Sequence, residues 1–167
     1  MGGSVASGAQ GLARQTNSVD IVVDLTVDRV PAFCEAFGSA FYADTGVVSQ
    51  AVKAGGPFNL IHLASAFKFD SFPIGNGAFG RSELARRRLT GGTVTGLENL
   101  EFPVASPEDT ILAKLVWFRK GGEASDRQWH DVLGVVRVQA DRLEGEYLAK
   151  WAAELGVADL LRKICQQ

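Results

Sequence analysis

Cysteine is nearly absent: the 167 residues hold only Cys34 and Cys165, far apart and with no Cys-x-x-Cys or Cys/His spacing around either. Neither a zinc site nor a disulfide framework is indicated, and a reducing cytoplasm is the expected compartment. Long apolar runs are missing too. No stretch approaches the roughly 20 residues that span a bilayer, and the start lacks the basic-then-apolar pattern of a secretory signal, so no membrane association is expected. Nor is there surplus positive charge: the formal net charge is -2 and the pI about 5.7. Tight binding along nucleic acid needs a basic face that displaces condensed counterions, and the bulk composition supplies none. A Walker-type glycine loop and a nucleophile elbow are likewise absent, which removes P-loop and triad-hydrolase readings.

What is present describes a globular chain. The apolar share is 46 % and the charged share 22 %, which suits one compact domain, or a small α/β domain with a helical extension. Small residues behind Gly2-Gly3-Ser4 suggest a short helix ending near Gly11. Residues 19–25 are rich in β-branched side chains and read as a strand, in which Ser18, Asp20, Val22 and Asp24 share one face. Thr26 is placed to cap a helix over residues 27–37, with Val30, Phe33, Cys34 and Phe37 as its buried stripe. A second helix is expected over 47–53, then a hairpin of strands 58–63 and 67–72 in which Lys68 and Asp70 project to one polar face.

Beyond the hairpin the spacing predicts a helix over 82–88 and short strands at 92–94 and 100–104. The run Arg86-Arg87-Arg88 reads as a solvated face. Ser106-Pro107-Glu108-Asp109 opens a helix with a capping serine, proline in the first turn and acids behind it. Ser125 with Gln128 caps the next, and two more follow over 144–155 and 157–164, divided by Gly156. Trp117, Trp129 and Trp151 sit at helical spacings and are expected to fill the helical core. His62 suits a hydrogen-bonded core histidine, and His130 with Asp131 a pair on a helix surface.

The chemistry-bearing constellation is Gly2-Gly3-Ser4, then Arg14-Gln15-Thr16-Asn17-Ser18-Val19-Asp20, and later Lys68-Phe69-Asp70. Taken with residues 58–63, 106–115 and 127–134, this order resembles the polymerase-β-like nucleotidyltransferases, and within them the small stand-alone bacterial proteins. The resemblance covers nearly the whole chain. It implies an α+β fold: a mixed-sheet nucleotidyltransferase core over residues 1–105 and a helical region over 106–167 packed on it. It also implies a helix and strand ahead of the glycine turn, where here Met1 directly precedes Gly2; either the true start lies upstream, or the core is expected to lack them.

The resemblance further implies that Asp20 and Asp70 hold magnesium in a two-ion site, with Ser18 standing where the family has a third carboxylate. Gly2, Gly3 and Ser4 would cradle the triphosphate, Arg14 and Thr16 would contact phosphate or base, and Lys114 would face the nucleotide. The implied activity is transfer of a nucleoside monophosphate from a nucleoside triphosphate to an acceptor hydroxyl on a small molecule, a transfer RNA or a protein; some relatives act in toxin and antitoxin pairs. Magnesium neutralises triphosphate charge, and two ions can stabilise the attacking and leaving oxygens together. A neutral Ser18 hydroxyl cannot replace an anionic ligand. The second reading is therefore an inactive module of the same fold that binds a nucleotide or a partner protein. Ordinary strand-end carboxylates remain the alternative for Asp20 and Asp70, and loop solvation for Arg14 and Thr16.

Overall fold

The computed structural model describes residues 18–74, 77–91 and 101–166. The helix expected before Gly11 and the strand expected at 92–94 lie outside them. The chain is mixed α/β. Strand β1 (Ser18–Val23) leads through a 3-10 turn (Val27–Arg29) into α1 (Val30–Ala36); β2 (Phe41–Tyr42), α2 (Thr45–Ala54), β3 (Phe58–His62) and β4 (Phe67–Pro73) follow. Then come α3 (Ala78–Arg86), β5 (Arg88–Gly91), β6 (Glu101–Val104) and the helices α4 (Pro107–Lys120), α5 (Asp126–Gln139), α6 (Gly145–Glu154) and α7 (Ala158–Cys165). No helix among the described residues is long and apolar enough to cross a membrane.

Four strands form one sheet in the order β1-β4-β3-β2, and β5 pairs with β6 in a separate ribbon. β3 and β4 make the expected antiparallel hairpin, while β1 runs parallel to β4 with Asp20 opposite Asp70 and Val22 opposite Phe72. Because side chains alternate across a strand, the register divides the sheet into two unlike faces. Val23, Phe58, Leu60 and Phe69 join Val30, Cys34 and Val48 in a core that α1 and α2 cover. Phe33 and Phe37 pack against that core edge to face, 5.1 Å between ring centroids. The opposite face carries Ser18, Asp20, Val22, Asp70 and Phe72, and it fronts a cavity.

A second core lies among the helices. Ile111, Leu112 and Leu115 of α4 pack with Val132 and Val135 of α5, Leu148 and Trp151 of α6, and Leu160 and Ile164 of α7. Capping follows the sequence at two starts: Ser106 Oγ accepts from the Asp109 amide at 3.1 Å and Ser125 Oγ from the Gln128 amide at 3.3 Å. At α2 the cap is Asp44, whose carboxylate accepts from the Val47 amide at 2.8 Å, so that helix begins two residues before the expected one.

Two sequence expectations are corrected here. Thr26 makes no side-chain cap. Arg86 is not on a solvated face, because three carboxylates surround it: Glu108 at 3.1 Å, Asp109 at 3.6 Å and Glu144 at 2.9 Å. His130 is exposed, as expected, and its Nδ1 meets the Asp126 carbonyl at 2.7 Å, one helical turn back.

Candidate functional site

The sheet face, α3, the cavity-facing side of α4 and the start of α5 enclose a cavity of about 520 Å³. That volume lies in the range of small-molecule sites. Its floor is set by the β1–β4 register. Asp20 and Asp70 are directly opposite on neighbouring strands, and both line the cavity together with Ser18, two residues before Asp20. Both aspartates therefore front the same cleft. Asp24 lies beyond the last residue of β1 and is not among the lining residues. Lys68, opposite Ser18 in the register, is exposed.

Helix α4 forms the roof. Thr110, Ala113, Lys114 and Trp117 recur at intervals of three and four residues, so they fall on one helical face, and all four line the cavity. Trp117 meets Phe72 across it with ring centroids 5.1 Å apart, which fixes the helix over the strand. The expectation of a core role for Trp117 is corrected accordingly, whereas Trp151 is buried within the helical core. Lys114 is almost buried, and its Nζ donates to Asp131 Oδ2 of α5 at 2.9 Å. Lys120, whose ammonium lies 4.5 Å from the Trp117 ring centroid, and Arg127 add positive charge at the rim near the start of α5.

Helix α3 supplies the remaining wall through Phe79, Gly80 and Glu83. Gly80 is required for that placement, because a Cβ there would sit 2.8 Å from both Cβ and the carbonyl oxygen of Ile74. Ile74 is itself anchored, its amide donating to the Val23 carbonyl at 3.0 Å. Gly80→Ala is therefore expected to destabilise the fold by about 1–3 kcal/mol through overpacking against backbone. A shift of the urea midpoint at constant slope would measure it, and a midpoint equal to wild type would show that α3 moves aside freely.

Glu83 went unnoticed in the sequence, where it reads as one more polar residue in an arginine-rich helix. It is buried, 8 % exposed. Burial pushes its carboxyl up to about 7, with the nearby Asp109 carboxylate adding to the shift. Thr110 was also missed. Its hydroxyl oxygen is buried beside the cavity and has no hydrogen-bond partner.

Behind this wall is a buried polar network. Tyr147 of α6 donates to Asp109 Oδ1 at 2.6 Å and lies 2.9 Å from the Ser82 hydroxyl. Ser106 donates to the other Asp109 oxygen at 2.7 Å, and the Arg86 guanidinium stacks 4.0 Å from the Tyr147 ring centroid. Burial leaves the Asp109 carboxyl above its ordinary range despite these donors and the Arg86 charge. Burial also pushes Glu108 upward. The backbone amides of Glu108 and Glu144, with Ser106 and Arg86, outweigh it and hold that carboxyl below its ordinary range.

The donor set can be tested against magnesium. Two carboxylates opposite one another repel, and a cation between them offsets the repulsion. Magnesium commonly takes one or two protein carboxylates and completes its octahedron with phosphates and water. Asp20 and Asp70 supply the number of carboxylates that one such ion commonly takes. Among the described residues no group of three or more His, Cys, Asp or Glu is arranged to hold a metal, so a three-carboxylate, two-ion clamp is not formed by them. Gly2, Gly3, Ser4, Arg14 and Thr16, the expected phosphate and nucleotide contacts, lie outside the described residues. No family model matches the chain, and no curated protein matches it.

Proposed function

We propose that the cavity holds a nucleoside triphosphate with a divalent cation, and that the chain is a protein of nucleotidyltransferase type. The observation that carries this reading is the register of Asp20 against Asp70 on a cavity face roofed by Lys114. Magnesium, when bound, would neutralise triphosphate charge and polarise the transferred phosphoryl group. The protein's own contributions are distinct. Asp20 and Asp70 orient the cation; Lys114 presents an ammonium positioned by Asp131; Lys120 and Arg127 attract the polyphosphate at the rim. The acceptor hydroxyl belongs to a small molecule, a transfer RNA or a protein side chain.

Ser18 gives a second reading its support. It lies on the cavity face beside Asp20 and brings no negative charge, so transfer is expected to be slow, and the same pocket would serve an inactive protein that binds a nucleotide or a partner. Labelled nucleoside triphosphates with magnesium separate the two. Label transfer by wild type and its loss in Asp20→Ala would establish catalysis. Transfer only by Ser18→Asp would make the natural chain a binder that has lost its chemistry. Failure of every form to transfer label or to bind triphosphate would remove the nucleotide reading altogether.

A further inference from the structure

The two ends of the cavity differ in chemistry. Thr110 and Lys120 are ten residues apart on α4, about 15 Å along the helix axis. Toward Lys120 the lining holds Lys114, Lys120 and Arg127 against Asp131, which pairs with Lys114, so positive charge is in surplus there. At the Thr110 end, where Asp109 acts on Glu83, the lining offers Glu83 and the unpartnered Thr110 hydroxyl. Phe79 and Ile74 add an apolar wall beside Glu83. An apolar wall with a few convergent polar groups is what a flat heteroaromatic ring requires, and the cationic end is what its phosphates require. We propose that Glu83 reads the hydrogen-bonding edge of the nucleotide's base, and that its carboxylate selects guanine. The inference rests on the nucleotide reading above.

The selection follows from donor and acceptor counts. An ionised carboxylate only accepts, whereas its neutral form both donates and accepts. Guanine alone among the four common bases presents two adjacent donors, the ring N1–H and the exocyclic amino group, so the carboxylate pairs with it through two bonds. Adenine, cytosine and uracil each present a donor beside an acceptor, and a carboxylate leaves that acceptor unpaired in a poorly solvated site. The neutral acid matches a donor-acceptor edge on any of the four. Glu83 titrates near neutrality, so discrimination strengthens as pH rises through about 7.

Asp109 of α4 opposes ionisation of Glu83, and the positive charge of the chain's amino terminus favours it. Arg86, on its own helix, is committed to Glu108, Asp109 and Glu144; Tyr147 of α6 is committed to Asp109 and Ser82. Asp70 and Lys114 line the same cavity from β4 and α4.

The test is equilibrium binding of GTP, ATP and inorganic triphosphate, each with magnesium, at pH 6 and pH 8. Wild type should bind GTP at least about tenfold more tightly than ATP at pH 8, the scale of one good bidentate pair. The ratio should approach one at pH 6. Phosphate ionisation affects both nucleotides alike and cancels in the ratio. Glu83→Gln carries a donor and an acceptor, as the neutral acid does, and should hold the ratio near one at both pH values. A ratio that ignores pH, or survives Glu83→Gln, overturns the proposal while leaving the nucleotide site intact, as would nucleotides binding no better than inorganic triphosphate. Failure of inorganic triphosphate and both nucleotides to bind would strike the underlying reading itself.

Discussion

Arg86→Ala is expected to lower the unfolding free energy at pH 8 by about 3–5 kcal/mol, the scale of removing one partner from a buried ion pair. Arg86 is the cation shared by Glu108 and Asp109, whose side chains are 3 % and 0 % exposed. Without it, two carboxylates stay in a dry junction between α3, α4 and α6. The pH dependence distinguishes this cause from lost packing. The arginine lowers the folded-state pKa of both acids, so its benefit is present above their titration range and is lost as pH falls through it. The deficit of the variant should therefore shrink between pH 8 and pH 4, where the carboxyls can take up protons. Urea denaturation at the two pH values measures it. An equal deficit at both would assign the effect to the stacking on Tyr147 instead.

This junction also marks where the sequence stops being legible. Ser106-Pro107-Glu108-Asp109 announces a helix start by local chemistry, and α4 begins there. Nothing local says that Arg86, Tyr147 and the Glu144 amide converge on the same two acids from 22 to 38 positions away. Arg86 was misread for the matching reason: a run of three arginines looks solvated until long-range partners are known. Likewise β2 is only two residues long and gives no periodic signal.

The candidate site divides along the same line. Alternation in two short strands was enough to put Asp20 and Asp70 on polar faces, but their direct opposition depends on β1 running parallel to β4, a pairing set by the intervening α1, α2 and β3. Lys114 is singled out only through a resemblance, and nothing local shows that Asp131, 17 positions on, orients it. Glu83 and Thr110 carry no motif. Their interest arises from burial beside a cavity, which periodicity alone does not reveal.

Glu83→Gln is expected to stabilise the protein above neutral pH. The wild-type carboxyl titrates near 4.5 in the unfolded chain and about 7 in the folded one, so the folded state binds the proton more tightly between these values. Wild-type stability from this group is complete below the unfolded pKa, falls as pH rises toward 7, and is flat beyond; the loss across that window is about 3 kcal/mol. Glutamine has nothing to ionise. The difference in unfolding free energy between variant and wild type should grow in the variant's favour by that amount from pH 4.5 to pH 8, with Asp109 and the other carboxyls largely cancelling in the comparison. A difference that stays constant across the range would mean that the Glu83 carboxyl is solvated, and with it would go the buried acid on which base selection depends. A difference that grows as expected makes the carboxylate at Glu83 a strained group at pH 8, and a ligand edge with two donors would relieve that strain.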